Sequence, residues 1–121
     1  MTALLREGEG WRLGWDDNRE CFKALVGGEH WALELTQGEF ETLRRLAQQL
    51  AETMASMATE LMPDEHIACE QETPQLWMEA EGFHHSYNLR FILLNGRGGE
   101  GAWPAAAVPE LLDGLARINV F

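Results

Sequence analysis

The side chains of this sequence that could do chemistry are four histidines, two cysteines, one glycine-rich loop and a surplus of glutamates. His30, His66, His84 and His85 are of a type that ligates metals. Adjacent rings such as His84 and His85 point to opposite sides of a chain, however, and His66-x-x-Cys69 is one half of a ligand set. The run Asn95-Gly96-Arg97-Gly98-Gly99-Glu100-Gly101 contains Gly-x-Gly-x-x-Gly at Gly96, Gly98 and Gly101. A dinucleotide site needs those glycines to open directly into a helix whose amide end holds the phosphate, and here Trp103-Pro104 follows instead. The run therefore reads as a hairpin tip. Glu79 and Glu81 share one strand face, where they could act as acid and base, but two solvated glutamates have the same spacing. Ser56 falls mid-helix and Ser86 in a connection, neither of them a nucleophile elbow. No catalytic residue, cofactor or metal is expected, and the sequence reads as that of a non-enzymatic protein.

Binding chemistry is better supported. Trp77 shares its strand face with Glu79 and Glu81, and Val120 and Phe121 form an apolar C-terminus. Large apolar groups left at a surface mark protein contact, so these five residues are the candidate interaction surface and a protein partner or self-association is expected. Single-stranded nucleic acid is the second reading. It needs stacking rings beside cations, for which Arg12, Lys23, Tyr87, Arg90 and Arg97 are the candidates. The formal charge of -11, from 20 acidic and 9 basic residues, repels phosphates on average and disfavours that reading.

The elements that must position these groups follow from periodicity. Gln37 to Met62 carries Phe40, Leu43, Leu46, Ala47, Leu50, Met54, Met57 and Leu61 at helical steps, with Thr36 and Glu39 as a capping box and Pro63 as the stop. A shorter helix carries Val108, Leu111, Leu112, Leu115 and Ile118, with Pro109 in its first turn. Before each helix the period is two. The lead Ala3 to Gly10 offers a first strand before its Gly8 to Gly10 turn, and strands are expected at Trp11 to Trp15, Cys21 to Val26 and Trp31 to Leu35, then at His66 to Glu72, Gln75 to Glu81, Tyr87 to Leu94 and Ala102-Trp103. Cys21 and Cys69 read as small buried hydrophobes in their strands. At an offset of 72 residues, Trp31, Leu35, Phe40, Leu43 and Leu46 fall on Trp103, Ala107, Leu112, Leu115 and Ile118. The fold class is thus α+β, two ββββα repeats in a single domain over 1–121, with halves at about 3–62 and 64–121 and antiparallel sheets against one long and one shorter helix.

Three stretches also carry a resemblance: Gly10-Trp11-Arg12-Leu13-Gly14-Trp15, the strand Trp31 to Thr36 running into the long helix, and Trp103-Pro104 after the glycine-rich loop. They resemble a family of small uncharacterised cyanobacterial proteins whose fold is similar to that of the Whirly-type single-stranded-DNA-binding transcriptional regulators. The resemblance covers nearly the whole chain and implies a Whirly-like fold. No apolar run reaches membrane-spanning length and the start of the chain is charged too early for a signal peptide, so a cytoplasmic protein is expected.

Overall fold

The structure, a computed structural model, describes residues 3–118. Its first half is a meander of β1 (Ala3–Gly8), β2 (Trp11–Asp16), β3 (Ala24–Gly27) and β4 (Ala32–Leu35), followed by α1 (Gln37–Ser56). The second half repeats the plan with β5 (Ile67–Glu72), β6 (Leu76–Phe83), β7 (Ser86–Leu93), β8 (Glu100–Trp103) and α2 (Val108–Arg117). Each half forms its own four-stranded antiparallel sheet, with neighbours in chain order. The doubled ββββα arrangement expected from the sequence is therefore present.

Local chemistry sets the boundaries. The hydroxyl of Thr36 accepts from the Glu39 amide at 3.1 Å while the Glu39 carboxylate accepts from the Thr36 amide at 2.9 Å, so the capping box closes in both directions. Gly82 sits at φ 147°, where a Cβ would press on the Ser86 carbonyl, and this lets β6 turn tightly through His84-His85 into β7.

Beyond shifts of one or two residues at strand ends, such as β4 starting at Ala32 and β8 at Glu100, the structure departs from the sequence reading at the end of the long helix, at the start of β3 and at the cysteines. The long helix ends at Ser56 and tightens into a 3-10 turn over Met57–Thr59 instead of running to Met62. Its stripe loses cover after Met54, since Met57 and Leu61 are only half-buried and Met62 is exposed. The hydroxyls of Thr53 and Ser56 also bond back to the carbonyls of Gln49 and Thr53, competing with the helix ladder. The strand expected from Cys21 starts only at Ala24, because the turn after β2 extends to Lys23, whose carbonyl accepts from the Asp16 amide. Cys21 is consequently exposed, and Cys69, on the inner side of an edge strand, is half-buried.

The helices are shared between the halves. Helix α1 packs mainly on β6 and β5 of the second sheet while Phe40 keeps it in contact with Trp15 of the first, and α2 rests between β2 of the first sheet and β7 of its own. One continuous core results, in which Trp11, Leu13, Trp15, Leu35, Phe40, Leu43, Leu50, Leu76, Met78, Leu89, Phe91, Leu111 and Leu115 are all buried. Each such side chain contributes about 1.5–3 kcal/mol of transfer free energy before entropy is subtracted. The sheets meet where β4 approaches β8. There the Trp103 indole donates to the Gly27 carbonyl at 2.8 Å and the Trp31 indole to the Ala102 carbonyl at 3.1 Å, their rings 5.2 Å apart. Each half thus places a tryptophan on the backbone of the other.

Candidate interaction face

The outer face of the second sheet is built by alternation. Because α1 covers the side carrying Leu76, Met78, Ala80, Leu89 and Phe91, every second residue of β5 to β8 must face outward. The register places these outward residues in rows. Glu72, Trp77, Ile92 and Glu100 form one, and Glu70, Glu79, Arg90 and Ala102 the next. Ala68, Glu81 and Asn88 form a third. Five glutamates thus share a face with one arginine and one tryptophan.

Trp77 is half-buried on this face, with the guanidinium of Arg90 centred 4.8 Å from its ring. The same guanidinium donates to the Glu79 carboxylate at 3.0 Å. Glu70 stands directly opposite Glu79, a like-charge cross-strand pair of the kind that destabilises a sheet. His66 lies 3.6 Å from Glu81 at the border. Beside the rows, Glu79, Glu81, Asn88, Arg90, Ala102 and Pro104 line a shallow hollow of about 280 Å³. Among the described residues no cluster of three or more His, Cys, Asp or Glu side chains is arranged to hold a metal ion. No described helix is long and apolar enough to cross a membrane.

Of the residues proposed from the sequence as an interaction surface, Trp77, Glu79 and Glu81 are brought together here, while Val120 and Phe121 lie outside the described residues. Glu70, Glu72 and Glu100 belong to the same face and were not singled out. The alternation Glu70-Gln71-Glu72 carried the signal for two of them, but Glu100 sits in a glycine-rich run without visible period.

The nucleic-acid candidates are dispersed. Arg12 donates to the Trp31 carbonyl at 3.0 Å, and Lys23 is half-buried ahead of β3. Tyr87 lines a separate groove with His84, His85, Ala51 and Leu112, where burial raises the pKa of its hydroxyl above the usual 10.0. Arg90 is held by Trp77 and Glu79. Arg97 folds back from the glycine-rich tip and donates to the Glu39 carboxylate and, at 2.6 Å, to the Glu34 carbonyl, its guanidinium 4.5 Å from the centre of the Phe22 ring. Asn95 donates to the other oxygen of Glu39. The tip is thereby tied to the start of α1.

Residues 6–118 match a domain of unknown function, DUF1818. This chain belongs to that family. The DUF1818 chain is also similar to a crystal structure of a protein of unknown function from Prochlorococcus sp. NATL2A, described as from the DUF155 family. The two are 32% identical, with a TM-score of 0.89 over 93% of this chain and 96% of that one. No curated protein matches the sequence. The resemblance to a family of small uncharacterised proteins is met by the DUF1818 match, and the cyanobacterial source of the similar structure agrees with it.

Proposed function

We propose that this DUF1818 protein is a non-enzymatic binding module whose outer second sheet docks a basic, arginine-bearing segment of a protein partner. The observation that carries this reading is the Trp77–Arg90–Glu79 arrangement at the centre of the glutamate rows. Arg90 shows in place what the face accepts, a guanidinium lying on an indole with a carboxylate at hydrogen-bond distance. Four further glutamates, Glu70, Glu72, Glu81 and Glu100, stand outward nearby. Arg90 answers Glu79 within the molecule, and a cationic partner would supply the same to Glu70 opposite it. Such a face gives fast, salt-sensitive association.

We further propose a kinship with the Whirly-like fold, which the doubled ββββα plan supports, and single-stranded nucleic acid is the alternative ligand that such a kinship suggests. Fold likeness alone supports it, and Arg12, Arg90 and Arg97 are engaged by groups of the same molecule. The two readings separate in one titration series. An arginine-rich peptide and a mixed-sequence single-stranded oligonucleotide are each titrated into the protein at low and at physiological salt. The peptide is expected to bind, to weaken with salt, and to lose at least about tenfold in affinity with Trp77→Ala, the loss of one hot-spot contact. Binding of the oligonucleotide and not the peptide would overturn the proposal in favour of the alternative.

A further inference from the structure

Strand β7 turns Leu89, Phe91 and Leu93 inward beneath the helices, and Tyr87 has the same parity. It stands where the cover parts. Helix α1 lies over β6 and β5, whereas α2 and the 3-10 turn before it lie over β7, and between them a groove of about 280 Å³ opens at the β6–β7 end of the sheet. Ala51 and Ala55, one turn apart on α1, form one wall, and Val108 and Leu112, one turn apart on α2, form the other. Tyr87 and His84, both half-buried, close the end at the turn, with the exposed His85 beside them.

Two features define what this groove accepts. Its polar groups are donors in want of an acceptor: among the described residues, neither the Tyr87 hydroxyl nor the His84 or His85 ring makes a hydrogen bond or an ion pair. Burial holds the phenol protonated to above its usual 10.0, and an imidazole carries an N–H in either protonation state, so all three keep a proton to donate. A partly desolvated donor gains most from an acceptor that carries charge. The second feature is electrostatic. No aspartate or glutamate lines the groove in a chain with 20 acidic residues, whereas four other surface hollows each include at least one. An anion here is spared the close repulsion it would meet in those hollows.

We propose that the groove binds a small apolar monocarboxylate, its ring or chain held between the Ala51–Ala55 and Val108–Leu112 walls and its carboxylate accepting from the Tyr87 hydroxyl and a histidine N–H at the turn. The volume lies at the small end of ligand pockets, which suits one fused ring system or a short acyl chain. The site is independent of the acidic face, which carries the β7 residues of opposite parity, Asn88, Arg90 and Ile92.

Titration of the full chain with naphthoate, octanoate and the neutral naphthamide, followed by amide chemical shifts, tests this. At least one acid is expected to saturate, with shifts centred on residues 51–55, 84–87 and 108–112, and the better of the two tells a ring from a chain. Naphthamide should bind at least about tenfold more weakly than naphthoate if the ring is preferred, because the charge-assisted hydrogen bonds are lost. Tyr87→Phe removes a hydroxyl without a partner, so the fold is kept, and the preferred acid should weaken about tenfold. Ala55→Leu, at an exposed position, fills the groove and should abolish binding, while Trp77→Ala should leave it unchanged. The proposal is overturned if neither acid saturates up to about 10 mM, a decade beyond millimolar affinity. It is equally overturned if the shifts centre on the acidic face, if naphthamide matches the better acid, or if Tyr87→Phe or Ala55→Leu binds that acid as wild type does.

Discussion

Glu39 works in three settings at once, as the reciprocal half of the capping box, as the acceptor for Asn95, and as the partner of Arg97. Its side chain is 2% exposed, against 29% for that of Arg97, so the carboxylate carries the desolvation and the guanidinium answers it. Arg97→Ala should therefore destabilise the protein by about 2–3 kcal/mol, toward the low side for a buried pair broken from one end, because Asn95 and the Thr36 amide remain. Urea unfolding measures this, and Arg97→Ala in a Glu39→Gln background should cost much less. Equal costs in both backgrounds would mean that Arg97 acts through Phe22 and not through charge. Tyr87 offers a second test, since it is the single tyrosine of the chain. Burial raises its pKa in the folded state, so the fold favours the protonated phenol. That contribution is fully present below the unfolded value of 10.0 and is lost as pH rises through the higher folded value. Phenolate absorbance should accordingly appear at higher pH in the native protein than in urea, and coincident curves would contradict the burial.

Most elements were legible because their periods were clean. Trp11-Arg12-Leu13-Gly14-Trp15 alternates and became β2, and Thr36 with Glu39 announced the start of α1. Boundaries failed where the signal is tertiary. Met57, Leu61 and Met62 continue the helical period, yet no sheet reaches that far to cover them and the helix closes at Ser56. The candidate face was legible by half. Strand parity put Trp77, Glu79 and Glu81 outward, but the stacking of Arg90 on Trp77 depends on the β6–β7 register, which no local pattern states. The fate of Arg97 was the least legible, because its partner Glu39 lies 58 positions away in a motif that already looked complete.

Taken as a whole, the molecule is a pair of halves each of which needs the other to complete its cover. Because α1 rests chiefly on the second sheet and α2 lies between the two, fragments 1–62 and 63–121 should each remain largely unfolded alone, with most of the long helix's apolar stripe unburied in the first. Mixed in equal amounts, they should recover the near-ultraviolet signal of the packed tryptophans Trp11, Trp15, Trp31 and Trp103, and melt in one transition. A fragment 1–62 that folds independently would show that the packing of α1 on the second sheet is not what stabilises the core.

The packing of α1 on the later sheet also orders events during synthesis. The long amphipathic helix leaves the ribosome well before β5 and β6, on which most of it will rest, so the nascent chain carries much of the stripe, Leu43, Leu46 and Leu50 among it, uncovered by that sheet until β6 has emerged. During that interval the growing chain offers a ready binding stripe to chaperones, and slowing translation over residues 57–75 would lengthen its exposure.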